Sequence, residues 1–112
     1  MKEMAYDEGL VERLRTLFQD QAGVAEKNMF GGLTFMVRGH MCCGVTGEDL
    51  MVRVGPDQHD DAVLLPHARP MDFTGRPMKG FVFVDSAGFD SDEQLKEWVD
   101  RGLEFVSTLP PR

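Results

Sequence analysis

Leu33-Thr34-Phe35-Met36-Val37-Arg38-Gly39-His40-Met41-Cys42-Cys43-Gly44-Val45 alternates large apolar residues with other residue types and carries a glycine at its centre. Successive side chains on a strand point to opposite faces, so the pattern predicts two antiparallel strands with one buried face. Gly39 and His40 form the two-residue loop, glycine supplying the positive φ of a type II′ turn. Pairing Arg38 with Met41 then puts Leu33, Phe35, Val37, Cys42 and Gly44 on the core face. Thr34, Met36, Arg38, Met41, Cys43 and Val45 fall on the other. Glycines at 31, 32, 39, 44 and 47 punctuate residues 24–54 as the turns and strand ends of a meander would. Leu50, Val52 and Val54 alternate with Met51 and Arg53 in one more half-buried strand.

Working outward, Leu10, Val11, Leu14, Leu17 and Phe18 recur at the helical period, which predicts an amphipathic helix over 8–22. Asp7 is its N-cap, and Gly23 closes its last turn in the left-handed conformation. Pro56 starts a short helix with Ala62, Val63 and Leu65 on its apolar side, and Pro66 stops it. Residues 66–80 hold three prolines and two glycines and read as a loop with brief extended pieces. Phe81–Val84 is a compact run of β-formers, read as a strand covered on both faces. Ser91 and Gln94 make a capping box ahead of Leu95, Trp98, Val99, Gly102, Leu103 and Val106, a stripe that predicts a helix over 92–108, ended by Pro110 and Pro111. The expected fold is α+β, an antiparallel sheet of five or six strands with packed helices in the order α-β(3-4)-α-β(2)-α. With 112 residues, 42% of them hydrophobic, the chain supports one domain, 1–112.

Composition excludes several functions. The net charge is −7, from 12 Lys and Arg against 19 Asp and Glu, which argues against direct nucleic-acid binding. No apolar run approaches a membrane span, and Met1–Leu10 has no signal-peptide pattern, so the expectation is a cytoplasmic protein. Cys42 and Cys43 are the only cysteines; as strand neighbours they are read as pointing apart, unable to chelate one ion, with Cys42 a core hydrophobe. No metal or other cofactor is expected. His40, His59 and His67 lack a partner nucleophile at a recognisable motif, and Phe30-Gly31-Gly32-Leu33 is a turn rather than a phosphate loop, so no catalytic residue is assigned. Most of the eight methionines are read as core filling. Glu93, Glu97 and Glu104 read as a solvated helix face, with Glu97 and Arg101 spaced to pair.

The segment 66–80 reverses the sign of the chain: Arg69, Arg76 and Lys79 stand there against Asp72 alone. Two Arg-Pro steps hold its backbone extended. The functional reading is an anion- or partner-binding site made by Arg69, Arg76 and Lys79; the structural reading is that these cations pair with the chain's own carboxylates.

Asn28-Met29-Phe30-Gly31-Gly32-Leu33-Thr34-Phe35-Met36, Met41-Cys42-Cys43-Gly44-Val45, Leu50-Met51-Val52-Arg53-Val54-Gly55 and the His67–Gly80 run together resemble the TfoX N-terminal domain family. The resemblance covers essentially the whole chain. It implies helix, three strands, helix, two strands, helix around an antiparallel sheet. The founding TfoX/Sxy proteins regulate natural DNA transformation with the cyclic-AMP receptor protein and carry a second, C-terminal domain; this chain resembles the single-domain members. The expected function is a non-enzymatic regulatory or protein-interaction domain with a protein partner, homodimerisation being left open. The alternative is a small-ligand or anion-binding module, with an enzyme included in that class, using residues 66–80.

Overall fold

The computed structural model describes residues 6–29, 31–73 and 76–110; the side chains of Asp72, Phe73, Arg76 and Pro77 lie outside the described set. The elements are α1 (Glu8–Leu17), β1 (Val24–Met29), β2 (Gly32–Val37), β3 (His40–Thr46), β4 (Asp49–Arg53), α2 (His59–Ala62), β5 (Ala68–Phe73), β6 (Arg76–Val84), a 3-10 turn (Ser86–Phe89) and α3 (Asp92–Val106). The strands form one antiparallel sheet in the order β1-β2-β3-β4-β6-β5. This is the expected α+β architecture, with six strands.

The helix caps are where the sequence put them. The Asp7 carboxylate accepts from the N–H groups of Gly9 and Leu10, and Ser91 and Gln94 satisfy each other's backbone N–H groups at the start of α3. Two ends differ from expectation. α1 stops at Leu17, five residues short of the predicted end, because Gly23 takes its left-handed φ of 76° in the turn into β1, where its carbonyl accepts from Arg38 N–H. Pro56 does not start α2; the helix is a single turn from His59.

The hairpin turn falls on Arg38 and Gly39, both at positive φ (50° and 88°), as a type I′ loop requires, and not on Gly39-His40. Val37 faces His40 and Met36 faces Met41, but the next pair is Phe35 with Cys43. Cys42 is the extra residue of a β-bulge. The bulge shifts every pair beyond it by one residue, so Cys43 and Val45 join Leu33, Phe35 and Val37 in the core, and Gly44 moves to the other face. Cys42 is buried in the same core as Cys43, which corrects the reading that the two point apart.

Within residues 66–80, those at 68–73 and 76–80 are strand and not loop. They supply β5 and most of β6, a hairpin at the sheet edge, and β5 tolerates Pro70 because an edge strand has one unpaired side. Gly80, at φ 93°, sits where β6 carries extra residues between its two stretches of pairing with β5. Phe81 and Phe83 are half-buried, so β6 is not covered equally on both faces.

The two sides of the sheet are built differently. α1 and α3 cover one, packing Leu10, Leu14, Phe18, Leu95, Trp98 and Val106 on the branched residues of β2, β3, β4 and β6. The opposite side carries a separate cluster, Met41, Met51 and Met71, with Met36, Met78, Phe81 and Phe83 packed around it. Flexible thioethers fill that irregular surface, over which no helix lies among the described residues.

α3 reaches the sheet through Gly102. A methyl group there would stand 2.9 Å from the Cys42 carbonyl oxygen and 3.0 Å from its sulfur. On an exposed helix Gly→Ala stabilises by about 1 kcal/mol. Gly102→Ala should instead destabilise by about 1–3 kcal/mol, the cost of overpacking against backbone, measurable by urea denaturation. A gain in stability would mean that the helix and bulge separate freely.

Candidate binding groove

α3 has two working stripes. Leu95, Trp98, Val99, Gly102 and Val106 face the sheet. A second stripe, Gln94, Glu97, Trp98, Arg101, Glu104 and Phe105, follows the same three- and four-residue spacing one step around the helix. It forms one wall of a groove whose other wall is Val54, α2 and the turn after it. Three hollows of about 150, 260 and 460 Å³ run along it, and Arg101 borders all three.

The floor is apolar: Val54 and Ala62 are buried, and Leu65 and Phe105 are half-buried. Gly55, at φ 89°, keeps the backbone against the Phe105 ring, where any side chain would collide. The Arg101 guanidinium lies 4.5 Å from the centre of the Trp98 ring and has no ion pair among the described residues; it does not pair with Glu97, as the spacing suggested, because the indole face holds it. Asp57, Asp61, Glu97 and Glu104 rim the groove, and no ion pair engages them among the described residues. His67, exposed at the upper end, has a φ of 69°, unusual for any residue but glycine, and its carbonyl accepts from Asp85 N–H at 2.9 Å.

The residues singled out in the sequence are placed elsewhere. Arg69 stands on β5 with its guanidinium over the Phe83 ring, bonded to Asp49 at 2.7 Å and to Asp85, so two of the chain's own carboxylates already occupy it. Lys79 is exposed and has no ion pair among the described residues; the Arg76 side chain lies outside them. His40 Nε2–H donates to the Pro110 carbonyl at 2.6 Å, and His59 Nδ1 accepts from Gly80 N–H at 2.9 Å. Both imidazoles therefore pin backbone. A hydrogen bond with Cys42, and then burial, pushes the Cys43 thiol well above its ordinary pKa, which keeps it neutral and unreactive. Among the described residues no three His, Cys, Asp or Glu side chains are grouped to hold a metal ion, and no helix is long and apolar enough to cross a membrane. A further hollow between α1 and α3 is bordered by Arg13, whose guanidinium bonds the Phe89 carbonyl and Asp92 and so fastens the two helices together.

The model of the TfoX N-terminal domain matches residues 16–106, from the last two residues of α1 to the end of α3. The chain belongs to the TfoX N-terminal domain family. A search of curated proteins finds no match to it. The TfoX domain match spans every strand, α2 and α3, the elements that form the groove.

Two measurements check this geometry. In the native TfoX domain both thiols should react with a disulfide reagent at neutral pH only as fast as the protein unfolds, and both should react at once in denaturant; rapid native labelling of Cys43 would contradict its placement. Arg69→Ala should lower stability by about 1 kcal/mol, since exposed ion pairs and a cation on a ring each contribute about that or less, and 1 M salt should narrow the gap. Unchanged stability would leave the Arg69 cation available to an external anion.

Proposed function

We propose that this TfoX domain is a non-enzymatic protein-interaction module of a regulatory kind. The observation that supports it is how the fold uses its reactive groups. Cys42 and Cys43 are sealed in the core, His40 and His59 hold backbone groups, and Arg69 is clamped by two carboxylates. A hydrolytic or transfer site needs a nucleophile, a base and an orienting group within reach of one another at an accessible place. What this surface offers instead is an elongated, partly apolar groove with unpaired charge along it, the anatomy of a recognition site.

The regulatory part of the reading rests on family membership, and competence regulation is its narrowest form. Direct contact with DNA is disfavoured by the net charge of −7 and by the acidic rim of the groove, so regulation would proceed through a protein partner in the cytoplasm. The alternative, an anion site of Arg69, Arg76 and Lys79, draws less support because Asp49 and Asp85 already neutralise Arg69.

Affinity capture on the folded chain from native cell extract, quantified by mass spectrometry against an unrelated domain of equal charge, tests the proposal. A protein recovered in near-stoichiometric amount is the expected result. Recovery of no protein above the control, together with a small molecule that co-purifies with the chain and raises its melting temperature, would favour a ligand-binding or enzymatic role.

A further inference from the structure

We propose that the groove between α2 and α3 receives a basic amphipathic segment of a partner protein, with lysines or arginines on the acidic rim and an apolar side chain on the floor. This rests on the protein-interaction reading and gives it a surface and a partner chemistry. Three observations point to this occupant. The first is charge complementarity. Asp57, Asp61, Glu97 and Glu104 line one continuous groove with no cation paired to them among the described residues, whereas Arg13, Arg15, Arg69 and Lys96 each pair with a carboxylate elsewhere. Four unpaired carboxylates outnumber the two cations beside the groove, Arg101 and Arg53, the latter 5.2 Å from the Phe105 ring centre, and attract cations of a partner.

The second is the floor. Val54, Ala62, Leu65 and Phe105 form an apolar strip between the charged rims. An acidic rim alone would draw any polycation. The strip selects one that also presents an apolar face, the mode in which a helix lies in a groove. Arg101 adds a constraint: stacked on Trp98, its N–H donors remain open to backbone carbonyls of the segment, while its charge keeps a uniformly basic chain from settling along the centre.

The third is length. The stripe from Gln94 to Phe105 runs about 17 Å at 1.5 Å per residue, which matches about three turns of a partner helix. A metabolite would fill a single hollow; the three here follow one another along the same helix.

Trp98 is the only tryptophan and lies on the groove, so its emission reports occupancy directly. The intact chain is titrated with a synthetic amphipathic 14-residue helix of lysine and leucine, and with the same peptide carrying glutamate in place of lysine. The lysine peptide should give a saturable change in Trp98 emission and the glutamate peptide none. The triple variant Asp61→Asn, Glu97→Gln, Glu104→Gln should weaken the lysine peptide about tenfold or more, each exposed carboxylate contributing about two- to fivefold. A second triple variant, Glu8→Gln, Asp20→Asn, Glu48→Gln, removes as much charge away from the groove and should leave the affinity unchanged. Equal loss in both triple variants would reduce the effect to bulk charge and overturn the assignment, as would binding of the glutamate peptide or no saturable signal. If the lysine peptide fails while affinity capture still recovers a protein, the interaction reading stands and the groove is not its site.

Discussion

One extra residue in β3 governs how the helices meet the sheet. The bulge at Cys42 turns two consecutive side chains into the same core and raises the strand locally toward α3. Only a residue without a side chain can sit opposite such a ridge, and α3 presents Gly102 there. The helix's rotation about its own axis is set by that contact. With Gly102 against the bulge, Leu95, Val99 and Val106 must point into the sheet, Arg101 and Glu104 toward α2, and Glu97 toward the turn after it. The groove is thus a geometric consequence of a strand irregularity on the far side of the helix.

What the sequence disclosed, and what it hid, follows from the range of the forces involved. Helix starts were readable because a cap is a local bargain among four residues: Asp7 with Gly9 and Leu10, Ser91 with Gln94. The hairpin register was not: the turns Arg38-Gly39 and Gly39-His40 suit the local chain about equally and leave the same residues of β3 on each face, and only the bulge at Cys42, fixed by packing under the helices, brings Cys43 and Val45 into the core. Prolines disguised two strands as a loop: Pro70 lies on the edge strand, and Pro77 in the part of β6 that β4 does not reach.

The groove was hidden for a related reason. Glu97 and Glu104 carry the signature of a solvated helix face, and nothing in α3 alone indicates that Val54, Ala62 and Leu65 come to lie alongside. One signal was available: Trp98 and Phe105 sit on the flank of the main apolar stripe, wider than a helix needs to rest on one sheet. The cations of 66–80 drew the eye because they reverse the local charge, yet three-dimensional proximity to Asp49 and Asp85 spends Arg69 inside the fold. Sequence separation of 20 and 16 residues concealed both partners.

The strand order β1-β2-β3-β4-β6-β5 has a kinetic side as well. Every neighbouring pair but one is also consecutive in the chain, so most of the sheet assembles from hairpins with short loops to close. The exception is β4 with β6, whose junction must wait until the β5–β6 hairpin arrives as a finished unit. Within the sheet, the loop-closure entropy of non-consecutive pairing is therefore concentrated in a single junction. A chain emerging from its N-terminus can build four strands before that event, leaving α3 to seal a surface that is already in register.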